Sequence, residues 1–532
     1  MSPATTTPTP ASPLVAALLD PHRYPHPAER IELIETHISW VLLAGEYAYK
    51  LKKPVDFGFL DFTALDARGR FCEEELRLNR RTAPALYLEV VPIGGTPEDP
   101  RLGATPAIEY AVKMRRFGQD ALLGRMAKRG TLAPAQVDAL ASAVADFHAR
   151  VERAPHDSVW GAPERVAEFA EQNFDQIDPL AAAPADIEHL EALRTWTGHE
   201  FTERREIFTE RRRAGFVREC HGDLHLGNIA LIDGAPVAFD CIEFNASLRW
   251  IDVMSEAAFL VMDLLDHRLD ALAWRCLDRY LQLTGDYEGL AVLRFYLVYR
   301  AMVRAKVACL RAQQPDLVAA AQARVAGEYR GYFELARRLA ESARPGIVLM
   351  HGLSGAGKTT VAQSLLEQLG AIRVRSDVER KRLHGLGALT RTHAALDTGL
   401  YGPEATRRTY DRLAAAARAI VDAGWPAIVD AASLRHADRD AFRHLAHALG
   451  VPFAIATCEA PEAVLRARVA ARERAGTDAS EASAAVLERQ LATQEPLGAD
   501  ERRDAVAFRT DGGAEALAAA TRALEERLAA VG

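Results

Sequence analysis

Two short stretches of this chain hold residue types whose spacing suits phosphoryl chemistry. The first is His221-Gly222-Asp223-Leu224-His225-Leu226-Gly227-Asn228, with an aspartate and an asparagine five positions apart. That spacing lets an aspartate meet an acceptor hydroxyl while an asparagine one loop further on holds a magnesium ion on the nucleotide side. Asp240 follows twelve residues after Asn228, and the apolar runs Ile229 to Ile232 and Pro236 to Phe239 flank Asp233-Gly234 between them. Asp-Gly between two such runs is a hairpin signal. A hairpin centred there brings Asn228 and Asp240 together at its open end, so that two oxygen ligands converge on one cation.

The second stretch is Gly352-Leu353-Ser354-Gly355-Ala356-Gly357-Lys358-Thr359, a full G-x-x-x-x-G-K-[ST] pattern, followed by Thr360. Backbone N–H groups from Gly352 through Ser354, Gly355, Ala356 and Gly357 to Thr360 are expected to cradle the phosphates of ATP at the start of a helix. Lys358 would reach the β- and γ-phosphates, and the Thr359 hydroxyl would ligate magnesium. The apolar run Ala427-Ile428-Val429 ends in Asp430-Ala431, so Asp430 can hold the metal shell while the second acid that would activate water is missing.

Further residues are needed to complete each site. For the second, Asp377 follows a short apolar strand and is placed to accept a proton from an acceptor hydroxyl. The alternative role for Asp377 is that of an acid in the first turn of a helix. Arg466, Arg468, Arg472 and Arg474 crowd one helix and the loop after it, and Arg468 and Arg472 are the candidates to close over the phosphoryl group. A solvated basic face competes with that reading. For the first site, the strand Tyr47 to Lys53 offers Lys50 as the phosphate-facing cation, with Lys52 on the same strand face as a competitor. Glu73, Glu74 and Glu75 lie on the helix that follows, and Glu74 shares an inward face with Phe71 and Leu78, which makes it the preferred partner.

These residues need elements to hold them. From Ile31 to Phe117 the chain reads strand-rich, with a helix over Arg70 to Arg81. Apolar spacing of three and four turns helical from Ala133 to Glu210 and again from Asp252 to Ser342. After the breaker Arg344-Pro345-Gly346, apolar runs alternate with helices: Ile347 to Met350, Ile372 to Val374, Ala427 to Val429, Phe453 to Thr457 and Ala505 to Phe508. Such alternation predicts a parallel sheet with helices on both faces. The expected organisation is a disordered tail over 1–13, a first domain over 14–342 and a second over 343–532.

Composition excludes several classes. A chain of 532 residues with 49% hydrophobic and 26% charged content is an ordinary globular protein of more than one domain. A net charge of -8 argues against a nucleic-acid or membrane-surface binder. The six cysteines contain no C-x-x-C pair, which fits reduced thiols. The first thirteen residues lack the charge and apolar core of a signal peptide. No apolar run reaches the length of about 18 residues needed to span a membrane. A soluble, cytoplasmic protein is expected, with oligomeric state left open.

With these residues in place, two resemblances emerge. The segment from about Ile31 to Arg338 resembles the aminoglycoside phosphotransferase and choline kinase-like family, on the strength of Asp223, Asn228 and Asp240. That resemblance implies an α+β two-lobed protein-kinase-like fold, with Asp223 as catalytic base and Asn228 and Asp240 as magnesium ligands. It also implies adenine held near Lys113 to Phe117. Two departures stand out: Thr36-His37-Ile38-Ser39 replaces a glycine-rich loop, and Cys-Ile follows Asp240 instead of Phe-Gly. The C-terminal part resembles the small-molecule P-loop kinases, including gluconate and shikimate kinases and zeta-toxin-like kinases. The motifs there are the P-loop, Ser376-Asp377, Val429-Asp430-Ala431, the arginine segment and Asp478-Ala479-Ser480. The order of the two looks like a family of bacterial tandem proteins. It implies ATP and Mg2+ at both sites and small-molecule hydroxyl acceptors. The alternative is one small-molecule kinase joined to a P-loop module that regulates it.

Overall fold

The computed structural model describes residues 12–56, 58, 60–177, 184–312, 319–341, 344–388, 390, 399–475, 480 and 482–529. The expected tail up to residue 11 lies outside them, as do Ser342 and Ala343 at the expected domain break. Among the described residues no helix is long and apolar enough to cross a membrane.

A six-stranded antiparallel sheet carries half of the first site. Its strands are β1 (Ile31–Glu35), β2 (Ser39–Ala44), β3 (Tyr47–Lys52), β4 (Tyr87–Gly95), β5 (Pro100–Leu102) and β6 (Ala107–Arg115), in the order β1-β2-β3-β6-β4-β5. The helix Leu65–Asn79 lies on this sheet, where Cys72 and Leu76 join Tyr87, Val112 and Met114 in an apolar core. It starts five residues before the expected Arg70. Its first turn is fixed by the buried Arg68–Glu109 pair at 2.9 Å, a long-range contact that local pattern does not display.

The other half of the first site sits on short strands. β7 (Val217–Glu219) and β10 (Trp250–Asp252) pair antiparallel, and β8 (Ile229–Ile232) and β9 (Ala235–Ala238) form the expected hairpin. At its tip Asp233 and Gly234 have φ of 50° and 79°, the double left-handed conformation that Asp-Gly supplies most readily.

A five-stranded parallel sheet, ordered β12-β13-β11-β14-β15, carries the second site. β11 (Ile347–His351), β12 (Ile372–Arg375), β13 (Ala427–Asp430), β14 (Phe453–Glu459) and β15 (Ala505–Arg509) coincide with the five expected runs, each prolonged by one or two residues at its C-terminal end. The central strands β11, β13 and β14 are buried along most of their length, and Val348, Met350, Ile428, Ala454 and Phe508 share a core with Leu365 of the helix Lys358–Leu369.

The chain forms two compact units. One comprises Met1–Leu132, Asp146–Gly161 and Gly215–Glu256, and the other Ala133–Ala145, Ala162–Ala214 and Ala257–Gly532. The helices Asp270–Thr284, Leu290–Ala312 and Ala319–Ala340, expected with the first domain, thus share a unit with the parallel sheet. Trp274, on the first of them, packs against the core of that sheet.

Candidate active sites

In the first site, β3 turns Lys50 and Lys52 to one face, because side chains alternate along a strand. Both ammonium groups meet Glu75 of the helix Leu65–Asn79, Lys50 at 2.8 Å and Lys52 at 2.7 Å. Lys50 also pairs with Asp240, and Lys52 with Glu243, closing a chain of five charges. Burial raises the Glu75 pKa, but Lys50 and Lys52 outweigh it and hold the carboxyl down to about 2. Glu74, the partner favoured by sequence, is corrected to Glu75. The buried helix face runs through Arg68, Cys72, Glu75 and Asn79, one position round from Phe71 and Glu74. Glu74 instead meets Arg77 at 2.8 Å and Arg249 at 2.7 Å.

Asp240 ends the hairpin in a conformation that side chains rarely adopt, with φ of 65°. Two buried side chains fix it: its N–H donates to Tyr87 Oη at 3.1 Å, and the next N–H, of Cys241, donates to Asn79 Oδ1 at 2.9 Å. Asn79 in turn donates to the Glu75 carbonyl at 2.8 Å, so the glutamate and the aspartate are set by one network. The hairpin brings Asn228 to the same end, where its carbonyl accepts the Phe239 N–H at 2.9 Å. Asn228 Nδ2 donates to Asp223 Oδ2 at 3.0 Å, uniting the three residues read from the motif.

The loop around Asp223 is clamped from below. Glu256 accepts the N–H groups of His221 (2.5 Å) and Gly222 (3.0 Å), and bonds His148 Nε2 at 3.1 Å. Gly222 has φ of 90°, and a Cβ there would lie 2.8 Å from the Leu248 carbonyl, so glycine is required. His221 Nε2 lies 2.9 Å from the Phe239 carbonyl, which can only accept; that nitrogen carries the proton and Nδ1 receives the Asp223 N–H at 3.3 Å. Burial pushes the His221 pKa down and keeps the ring neutral. Sequence reading missed Glu256 and His148. A signal was present for Glu256, a lone acid between Met254 and the apolar run Ala257 to Met262, whereas His148 stands between Asp146 and Arg150 and nothing local marks it.

The remaining first-site expectations concern loops. Phe117 packs edge-on against Phe239 with centroids 5.2 Å apart, at the end of the segment expected to hold adenine. In place of a glycine-rich loop, Thr36 and Ser39 close a tight β1–β2 turn through the Thr36 hydroxyl.

In the second site, β11 enters the P-loop and the helix Lys358–Leu369 leaves it. Gly355 has φ of 83°, and a Cβ there would sit 2.6 Å from the Leu465 carbonyl, so the loop cannot hold its course with a larger residue. Lys358 Nζ donates to the carbonyls of Gly352 (2.8 Å) and Leu353 (3.0 Å), and Gln490 Oε1 accepts the Ser354 N–H at 2.8 Å. Burial lowers the Lys358 pKa, against the pull of Asp430.

A cavity of about 600 Å³ opens on this loop, lined among others by Lys358, Thr359, Asp377, Asp430, Arg468 and Arg472. Every residue expected to act at this site except Gly352 and Ala356 borders it. Asp377 lies in the first turn of the helix Ser376–Leu383 and also faces the cavity, so its two candidate roles are compatible. Asp430 is 5% exposed, with Arg375 3.5 Å away. The four arginines separate. Arg468 is tied to Thr510 at 2.8 Å and Arg472 to the Ala482 carbonyl at 3.0 Å, both beside the cavity. Arg466 pairs with Glu462 and Glu488 on an exposed face, and Arg474 is exposed as well. Asp478 and Ala479 lie outside the described residues, while Ser480 borders the cavity.

Comparison with known proteins places the chain in a family. Residues 347–497 match the AAA domain. The uncharacterized protein Rv2004c of Mycobacterium tuberculosis is 32% identical over 460 residues, spanning 86% of this chain and 89% of that protein. Among solved structures, amicoumacin kinase hAmiN is 14% identical with a TM-score of 0.40, covering 61% of this chain and 92% of the kinase. A gluconokinase from Sinorhizobium meliloti 1021 is 21% identical with a TM-score of 0.26, covering 35% of this chain and 95% of that one. The chain belongs to the family of the mycobacterial protein Rv2004c, and its residues 347–497 carry the AAA domain.

Proposed function

We propose that this protein is an ATP-dependent phosphotransferase with two sites, each passing the γ-phosphoryl group to a hydroxyl of a small polar molecule in the cytoplasm. One observation carries this reading above the others: Lys50, Glu75 and Asp240, distant in sequence, meet beside Asp223 and Asn228. A cation, its orienting acid, a metal ligand and a base are the parts that phosphoryl transfer needs.

In the first site Asp223 takes the proton of the acceptor hydroxyl, whose oxygen bonds to the γ-phosphorus as ADP leaves. Lys50 holds phosphate oxygens, oriented by Glu75. In the second, Asp377 takes the corresponding proton, and Lys358, Arg468 and Arg472 face the phosphates. Magnesium, when bound, neutralises phosphate charge; Asn228 and Asp240 would hold it in one site, Thr359 and Asp430 in the other. The donor sets fit that metal, being hydroxyl, amide and carboxylate oxygens. Asp430 Oδ2 is in addition a buried oxygen with no hydrogen bond of its own. Ala431 after Asp430 supports transfer to a hydroxyl over hydrolysis.

Asp223→Asn tests the first site. It should preserve ATP binding and lower phosphotransfer about 10²–10⁴-fold, the range of general base catalysis. A mass-spectrometric search for phosphorylated metabolites, comparing the parent protein with this variant, supplies the acceptor. Equal turnover of that acceptor by both proteins would remove Asp223 from the mechanism.

A further inference from the structure

The second site is held by residues that precede its motifs by some eighty positions. Arg373, on β12, is 3% exposed and joins two elements with one guanidinium. On one side its Nη2 lies 2.7 Å from Asp278 Oδ2, on the helix Asp270–Thr284, and Asp278 is itself 3% exposed. On the other, Nη1 donates to the Thr359 carbonyl at 3.2 Å and Nη2 to Gln363 Oε1 at 2.8 Å, both on the helix that leaves the P-loop. Two more ties run the same way. Tyr287 Oη donates to the Arg373 carbonyl at 3.4 Å, and Arg382, on the helix Ser376–Leu383 that carries Asp377, donates to the Gln282 carbonyl at 2.6 Å.

We infer that Asp278, acting through Arg373, is a positioning residue for the P-loop metal ligand Thr359. The inference rests on the reading of Lys358 and Thr359 as the nucleotide and magnesium contacts. A buried guanidinium needs a buried anion, and among the described groups around Arg373 that anion is Asp278. Without it the fork that reaches the Thr359 carbonyl is uncompensated and turns away. The first turn of the P-loop helix then loses a fixed donor behind the hydroxyl that faces the metal. Groups behind metal ligands act on metal affinity more than on contacts made elsewhere by the ligand.

The experiment uses the full chain. Binding of ATP is measured by calorimetry with magnesium and with EDTA, and the second-site component is the one that Lys358→Ala removes. Asp278→Asn should weaken binding of magnesium ATP at that site by about tenfold or more, with binding in EDTA unchanged, and Asp278→Glu should restore most of the loss. The control is Glu367→Gln, which breaks the Arg275–Glu367 pair (3.1 Å) on the same helix–helix contact but keeps an oxygen to accept from Gln363 Nε2, as Glu367 Oε1 does at 2.7 Å. It should leave both measurements alone. Equal magnesium preference in Asp278→Asn and the parent protein would overturn the inference, as would an equal loss in Glu367→Gln. Should Asp278→Asn fail to fold, Arg373→Lys keeps the buried charge pair but loses the fork, and the same shift or its absence decides. A second-site component lacking in the parent protein, or untouched by Thr359→Ala in magnesium, would instead sink the underlying reading of the P-loop.

Discussion

Glu75 shows where residue-level reading stops. Three consecutive glutamates and two lysines on one strand face leave six pairings open, and local spacing cannot choose among them. The choice is made by Asp240 and Glu243, which arrive from far along the chain and fix one lysine each. Asp223, Asn228 and Asp240 were legible because a loop and a tight hairpin connect them, with nothing long-range to decide. The energetic weight of the pairing follows from burial. Glu75→Gln leaves Lys50 and Lys52 short of an anion and should cost about 3–5 kcal/mol by chemical denaturation. Glu74→Gln, at a half-buried site, should cost under about 1 kcal/mol. The pH dependence has a definite sign. Glu75 titrates lower in the folded protein, at about 2, than its ordinary 4.5, so its contribution is complete above 4.5 and is lost as pH falls toward 2. The Glu75→Gln variant should show a shallower acid loss across that window, and an unchanged slope would contradict the buried network.

At the scale of elements, the sequence predicted all five parallel strands and the β8–β9 hairpin, because each is a short apolar run bounded by turn or loop residues. The start of the helix Leu65–Asn79 was misplaced because its first turn answers to Arg68 and Glu109, and the Glu256–His148 clamp was missed because neither residue belongs to a motif. The hairpin makes a prediction of its own. It delivers Asn228 and Asp240 as a pair, so Asn228→Ala or Asp240→Ala should each raise the magnesium needed for ATP binding at the first site. The second-site magnesium dependence should not move. Titrations that superimpose on those of the parent protein would show that the hairpin brings no metal ligands.

Across the whole molecule, Lys50, Asn228 and Asp240 belong to one compact unit and Lys358, Thr359 and Asp430 to the other. Two ATP equivalents per chain are therefore expected by calorimetry. Lys358→Ala should leave one, Lys50→Ala the other, and the double variant essentially none. Loss of both events on Lys358→Ala alone would mean that the sites share a ligand. The expected break at Ser342–Pro345 rested on a change in sequence character, whereas the helices before it pack with the sheet after it through residues such as Trp274, Asp278 and Tyr287, which carry no motif. That packing has a consequence for how the protein is made. β12 is the outer strand of its sheet, and an uncovered outer strand is a template for pairing with other chains. Here the Arg373 carbonyl is taken by Tyr287, and the helix Asp270–Thr284 lies against the strand. Because synthesis runs from the N-terminus, that cover leaves the ribosome first, and β12 emerges beside a surface already waiting for it. The order of the two halves along the chain is thus itself a guard against aggregation, one that a gene fusion in the reverse order would forfeit.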